Sequence, residues 1–251
     1  MILAVLQARM SSSRLPGKVL SPVLGEPMLL RQIERIKRAR QISQLIVATS
    51  SESSDDAIER VCATRQVSCF RGDLDDVLDR FYQIAKRSAA EHVVRLTADC
   101  PLIDPQLIDD VIELHLKGGF NYTSNAIERT FPDGLDVEVA TFESLEIAWR
   151  ESQLPSEREH VTEFIQNRPE RFKLGHQKQS ADMSLMRWTV DQPEDLDFVR
   201  AIYSALYTDR PEFNWKDVLV YLKSNPALCK MNAHFAGVDA NLAVERILQK
   251  L

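Results

Sequence analysis

The chain has 251 residues, 31 Lys+Arg against 37 Asp+Glu for a formal net charge of −6, and 44% hydrophobic residues. A charged fraction of 27% beside that apolar content excludes a disordered chain, and the acidic balance excludes broad nucleic-acid binding, which needs clustered Lys and Arg to displace counterions. No run approaches the roughly 20 apolar residues of a membrane helix, residues 1–7 lack the flanks of a signal peptide, and Cys62, Cys69, Cys100 and Cys229 form no CxxC pair. The expectation is a cytoplasmic protein with reduced thiols and no nucleic-acid or membrane partner.

In chain order, residues 2–6 (ILAVL) are apolar at every position, as a strand covered on both faces of a parallel sheet requires. A polar loop over 7–18 follows, then a helix over 28–38 with Leu29, Leu30, Ile33 and Ile36 at helical spacing. Strands at 45–49 and 67–70 bracket a helix over 54–64. A helix over 75–89 carries Val77, Leu78, Phe81, Ile84 and Ala85 on one face, and 93–97 is the next strand. After a helix over 105–117 the rhythm loosens. Strands at 121–124 and 135–141 flank a Pro-Asp-Gly turn at 132–134, helices cover 142–150 and 157–167, and 185–190 reads as a late strand. Helices over 193–206 and 214–223 and a helical tail over 240–251 complete the chain. Short apolar strands alternating with amphipathic helices give an α/β fold of three layers, a mostly parallel sheet with helices on both faces. The broken rhythm over 120–185 marks a substrate-binding region inserted into a single domain spanning 1–251.

Three segments carry chemistry. In QARMSSSRLPGK (7–18), Arg9, Arg14 and Lys18 supply positive charge, and Ser11, Ser12 and Ser13 supply hydroxyl donors, directly after the first strand. Ligands of open α/β sheets bind beyond the carboxyl ends of the strands, so this loop is placed to cradle a triphosphate; a solvated basic loop is the competing reading. It is neither a Walker A loop nor a GxGxxG turn. In RLTADCPLID (95–104), Asp99 ends a buried strand, and in WTVDQPEDL (188–196), Asp191 follows another. As single residues they read as turn and cap carboxylates; as a pair on one sheet edge they suit Mg²⁺ held against substrate phosphates. Asp73 and Asp75 form a DxD at a helix start, where the macrodipole favours acids in any case.

Together, QARMSSSRLPGK, RLTADCPLIDP and RWTVDQPEDLDFV, in that order, resemble the cytidylyltransferase family of CMP-sialic acid and CMP-Kdo synthetases, nearest its SpsF-like spore-coat polysaccharide branch. The resemblance covers residues 1 to 200; Ser11 stands where the family's loop usually has Gly. It implies the nucleotide-diphospho-sugar transferase fold of the glycosyltransferase-A type. It places Gln7, Ala8, Arg9, Ser12, Ser13, Arg14, Lys18, Thr49, Ser50, Arg71, Gly72 and Thr97 around the nucleotide, and Asp99 and Asp191 on Mg²⁺. Asp133, Asp136, Glu138, Arg158 and His160 fall on the acceptor side. The implied reaction is cytidylyl transfer from CTP to a sugar-type hydroxyl with release of pyrophosphate, with Lys18, Arg14 and Asp99 catalytic, in a homodimer joined through 140–185. Two alternatives stand beside it: a glycosyltransferase using Asp73 and Asp75, and a non-catalytic nucleotide-binding module.

Overall fold

The structure is a computed structural model that describes residues 1–237, 240, 244 and 246–248. Strand β1 (Ile2–Gln7) leads through the polar loop and a 3-10 turn (Lys18–Leu20) to a small hairpin, β2 (Pro22–Val23) and β3 (Glu26–Pro27). Then follow α1 (Met28–Ile36), β4 (Gln44–Ser50), a 3-10 turn (Ser53–Asp55), α2 (Asp56–Thr64), β5 (Ser68–Gly72), α3 (Val77–Arg87), β6 (His92–Thr97) and α4 (Pro105–Gly118). The second half comprises β7 (Tyr122–Ser124), β8 (Glu138–Thr141), α5 (Phe142–Glu151), α6 (Pro155–Glu159), α7 (Glu163–Gln166), β9 (Leu174–His176), α8 (Pro193–Leu206) and α9 (Trp215–Ser224). Two 3-10 turns, Pro226–Met231 and Ala233–Ala236, follow.

The described residues form a seven-stranded sheet in the order β5-β4-β1-β6-β8-β7-β9. The strands β5, β4, β1 and β6 run parallel, and β8 is antiparallel to both of its neighbours. Side chains of β1 alternate between two cores because successive residues of a strand face opposite ways. Ala4 and Leu6 pack with α1, α2, α4, α8 and α9, whereas Leu3 and Val5 pack with α3, α5 and α7. Gln7 pairs with Thr97 on one side and Ala48 on the other, so the carboxyl ends of three parallel strands finish level on one edge.

Several expectations need correction. Residues 185–190 do not form a strand: the segment makes one isolated bridge, Asp133 to Arg187. Its backbone groups are spent at separate contacts, with Asp133 N–H donating to Met186 O (2.9 Å), Trp188 N–H to Asp133 O (2.6 Å) and Val190 N–H to Asp99 O (2.8 Å). The helix expected at 157–167 is two short ones, because Val161 takes φ +57° between α6 and α7. The strand at 135–141 begins only at Glu138, since the Asn125 side chain satisfies Leu135 O and Val137 N–H in place of a ladder. The hairpin and β9 lack the length to register in a periodicity search. Of the tail at 240–251, Ala240, Val244 and 246–248 are helical, with Val244 and Leu248 in the core; the other positions lie outside the described residues.

Gly134 makes the crossing of 133–134 under 187–189 possible. Its φ is +106°, and a Cβ there would lie 2.4 Å from Thr189 N and 2.5 Å from the Trp188 carbonyl carbon. Both obstacles are backbone, so nothing flexible yields. Gly134→Ala is expected to destabilise the fold by about 2 kcal/mol or more, through steric conflict and positive-φ strain. Urea unfolding measures it, and an unchanged midpoint would refute the assignment.

Candidate active site

The loop after β1 is folded by hydrogen bonds to its own and neighbouring backbone. Gly17 N–H donates to Met10 O (2.9 Å), Leu15 N–H to Ser12 Oγ (3.3 Å) and Met10 N–H to Asp55 Oδ1 (2.7 Å). Gly17 has φ +74°, a left-handed turn that sends Lys18 back toward the sheet edge. Asp55 is fully buried, and its other oxygen accepts from Thr49 Oγ1 (3.0 Å), Ser50 N–H (3.0 Å) and Ser50 Oγ (2.5 Å). Burial alone would raise its pKa; the hydrogen bonds from Ser50, Met10 and Thr49 outweigh that and hold it below the usual carboxylate range.

Lys18 carries the centre of the site. Its Nζ donates to Val190 O (2.7 Å), Asp191 Oδ1 (2.8 Å) and Asp99 Oδ2 (3.4 Å), and only 8% of the residue is exposed. Arg14 Nη2 reaches the same Asp191 oxygen at 2.8 Å. The second Asp191 oxygen accepts from Arg187 Nη2 (3.2 Å), and Arg187 is itself clamped by Asp195 through Nε and Nη2, both at 2.9 Å. Asp195 also accepts from the N–H groups of Asp191 and Gln192, and from Asn232 Nδ2 (3.0 Å) in the C-terminal segment. Burial pushes the Asp191 pKa up, but Lys18, Arg14 and Arg187 more than offset it, so the carboxylate stays ionised. Two hard oxygen donors thus converge on one point already suited to positive charge. Among the described residues no group of three or more His, Cys, Asp or Glu side chains gathers as a metal cage. A pair of carboxylates with phosphate oxygens completing the shell is how Mg²⁺ is usually bound, so the donor set fits that ion.

A cleft of about 330 Å³ surrounds this centre. It brings together most of the loop expected to bind a nucleotide: Gln7, Ala8, Arg9, Ser12, Ser13, Arg14 and Lys18, together with Thr97, Asp99, Asp191 and His160. Four expected nucleotide residues lie elsewhere. Thr49 and Ser50 are buried under the loop on Asp55. Arg71 is tied to Ser50 O, Glu52 O, Asp56 and Glu59, and Gly72 packs against the Arg80 stem. These four support the loop and α3 and do not line the cleft.

The acceptor-side residues divide similarly. Glu138 is engaged by Arg95, Tyr122 Oη (2.7 Å), Thr162 and Gln166, and it is Arg95, also bonded to Gln7 Oε1 (3.1 Å), that faces the cleft. Arg158 turns away to Asp76 and Trp149 O. Asp133 and Asp136 share Arg129, which grips Asp136 through Nη1 (3.0 Å) and Nη2 (2.8 Å). Burial raises the Asp136 pKa to about 6 against the pull of Arg129. The DxD acids cap and turn: Asp73 Oδ1 accepts from the N–H groups of Asp75 (2.8 Å) and Asp76 (3.0 Å). Arg80, Arg95, Arg129, Arg187, Asp195 and Asn232 were not expected from the sequence. Gln192-x-x-Asp195 closes a capping box at the start of α8, a pattern open to sequence reading.

Comparison with known proteins agrees with this geometry. The family model described as cytidylyltransferase matches residues 3–225. A cytidylyltransferase structure from Leptospira borgpetersenii serovar Hardjo-bovis (strain JB197) is similar at TM-score 0.86 and 33% identity, over 91% of this chain and 96% of that one. The spore coat polysaccharide biosynthesis protein SpsF of Bacillus subtilis (strain 168) is 32% identical over 90% of this chain and 95% of its own length. A CMP:2-keto-3-deoxy-manno-octonic acid synthetase structure complexed with CTP shares the fold at TM-score 0.65 and 17% identity, over 81% of this chain and 98% of that one. The nucleotidyltransferase fold and the family likeness drawn from three motifs are both borne out. No helix among the described residues is long and apolar enough to cross a membrane.

The Asp55 cluster makes a pH-dependent prediction. Its folded pKa lies below its unfolded value, so ionised Asp55 contributes stability that is fully present above about pH 4. That contribution is lost as pH falls through the lower folded value. Asp55→Asn is expected to cost about 2–3 kcal/mol at neutral pH, since the amide cannot accept from all four donors. Urea unfolding of both proteins from pH 7 to 2.5 should show the gap closing on the acid side, and a pH-independent gap would contradict it.

Proposed function

The chain belongs to the cytidylyltransferase family, and on that footing we propose that it transfers a cytidylyl group from CTP to a hydroxyl of a sugar or sugar-like acid. The observation that carries the reading is the Lys18 ammonium bonded to Val190 O, Asp191 and Asp99 at the mouth of the loop bearing Arg9, Ser12 and Arg14. An acceptor oxygen attacks the α-phosphorus, an O–P bond forms, the bond to the β-phosphate oxygen breaks, and pyrophosphate leaves. Such a displacement asks the protein for positioning and charge neutralisation more than covalent chemistry. Lys18 and Arg14 stabilise the departing pyrophosphate, and the backbone and hydroxyls of Ser12 and Ser13 orient the phosphates. Asp99 and Asp191 would hold Mg²⁺, which when bound would supply Lewis-acid neutralisation of charge on the phosphoryl oxygens.

Asp133 lies within electrostatic reach of Asp99 and Asp191, and with Asp136 and Arg129 it supplies the acceptor contacts of this reading, together with His160 in the cleft lining. Because Arg129 already neutralises part of the acid pair, hydroxyls of a sugar find acceptors and donors side by side. The spore coat polysaccharide biosynthesis for which the Bacillus subtilis relative is named supports a surface-polysaccharide precursor as the product. The glycosyltransferase alternative loses support from Asp73, whose oxygen is committed to a turn. The homodimer belongs to the same proposal and is read by light scattering.

Pyrophosphate release from each nucleoside triphosphate, with Mg²⁺ and a panel of acidic sugars, tests the reaction. Activity confined to CTP supports it; turnover of a nucleotide sugar with CTP ignored favours a glycosyltransferase, and silence with every pair favours a binding module. Asp99→Asn is expected to lower turnover by at least about 100-fold while the unfolding midpoint stays near that of the parent, and chelation should abolish activity until Mg²⁺ is restored. Near-normal pyrophosphate release by this variant would sink the metal assignment.

A further inference from the structure

The match to the cytidylyltransferase family model stops at residue 225, and the chain continues into the 3-10 turns Pro226–Met231 and Ala233–Ala236. Asn232 sits between them, with 2% of its surface exposed. Its neighbours Cys229 and Ala233 are buried, and Cys229 belongs to the same core cluster as α8 and α9, so apolar packing, and not the amide alone, seats the turns. The Asn232 side chain is spent on two acceptors: Nδ2 donates to Arg187 O (2.9 Å) and to Asp195 Oδ1 (3.0 Å). The first lies in the crossing segment that lacks a ladder, and the second is the carboxylate that clamps the Arg187 guanidinium. One amide therefore fixes both ends of the same arginine.

Between those ends Arg187 spreads its donors over the site. Nε and Nη2 meet the two oxygens of Asp195 at 2.9 Å, Nη2 also meets Asp191 Oδ2 (3.2 Å), and Nη1 lies 3.7 Å from Asp133 Oδ2. Asp195 is fully buried, and its Oδ2 accepts further from the N–H groups of Asp191 (2.9 Å) and Gln192 (2.8 Å). In a buried network of this kind each bond supports the next. Without Asn232 Nδ2, Asp195 Oδ1 keeps only Arg187 Nε, the Arg187 carbonyl loses its donor, and the ion pair is free to shift. A guanidinium that shifts against Asp195 also changes its aim at Asp191, because its nitrogens form one rigid fork. Resting on the functional reading above, we propose that Asn232 is a positioning residue for cytidylyl transfer, holding Asp191 in place through Arg187 and Asp195, and that the C-terminal turns thereby belong to the reaction machinery. Groups that hydrogen-bond a ligating carboxylate from behind tune what it holds, and a misplacement of about 1 Å already costs rate.

The test compares the full-length parent with Asn232→Leu, Asn232→Asp and Asn232→Gln. Calorimetry gives the dissociation constant of CTP with Mg²⁺ and with EDTA, and pyrophosphate release with the acceptor that the parent uses gives kcat. Asn232 stands one contact further out than the partners whose loss costs about 10–100-fold, so in Asn232→Leu the tightening of CTP binding by Mg²⁺ and kcat should each fall at least about fivefold. The dissociation constant in EDTA should stay within about twofold of the parent. Asn232→Asp keeps the shape, loses the amide donors and adds charge beside Asp195, so its loss should be larger. Asn232→Gln keeps the donors on a longer stem and should fall between parent and Asn232→Leu; it carries the same test if the other two fail to fold. A purely structural Asn232 lowers the melting temperature but leaves the Mg²⁺ tightening and kcat unmoved, and that outcome overturns the proposal. CTP binding weakened equally with Mg²⁺ and with EDTA overturns it as well, by placing the effect on the nucleotide pocket at large. A parent protein that binds no CTP and releases no pyrophosphate defeats the functional reading itself, a result distinct from the other two.

Discussion

One ammonium group ties the site together. Lys18 is drawn to acceptors 81 and 173 positions away in sequence, so the loop after β1, the turn after β6 and the segment before α8 can only meet if all three layers are in place. The contact is a poor source of net stability, because an ammonium and two carboxylates lose much of their hydration to form it. Its consequence is placement. With Lys18 and Arg14 on one oxygen of Asp191 and Arg187 on the other, the carboxylate has little freedom, and the groups proposed to meet phosphates and a cation are held in one place before either arrives.

Much of the acidity around the cleft works on scaffolding. Asp55 binds the β1 loop to the end of β4. Asp104 caps α4 through the N–H groups of Gln106 and Leu107 and also accepts from Trp215 N–H at the start of α9. Asp195 is completely buried and collects Arg187, two backbone N–H groups and Asn232. Through Asn232 the segment beyond α9, which carries no motif, reaches a carboxylate of the site by way of Asp195 and Arg187. That chain of contacts ties Asn232, in a segment without a motif, to the arrangement of the site.

The β/α rhythm from β1 to α4 was legible because β1, β4 and β6 carry runs of apolar residues buried on both faces of the sheet, and the helices between them show a 3.6-residue period. From 120 onward, strands of three or four residues and a crossing in place of a ladder leave no period to find. That the loop after β1 and the two carboxylates share one cleft was legible because their signals are local: charge and hydroxyls directly after a buried strand, and an acid at the start of a turn. Thr49, Ser50, Arg71 and Gly72 lie in the last residues of β4 and β5 instead of the loops after them and face inward or sideways, and side-chain direction is set by partners such as Asp55 and Glu59 that spacing does not reveal. Arg80 did carry a signal, a charge within an apolar helical row, which an inventory of core positions passes over.

Arg80 and Arg95 make the governing distinction plain. Both line the same cleft. Arg95 meets Glu138 and Gln7, and Glu138 is in turn held by Tyr122 and Thr162, so that side of the cleft is satisfied within the protein. Arg80 is more deeply buried and leaves two nitrogens unpaired. Nearly all buried polar groups find partners on folding, and Arg80 keeps at the wall of the cleft donors that the fold itself does not use. The net charge of −6 is then no obstacle to a polyanionic substrate. The acids are largely consumed in caps, turns and pairs, and positive charge is retained where a nucleotide would complete the hydrogen bonding that the fold leaves open.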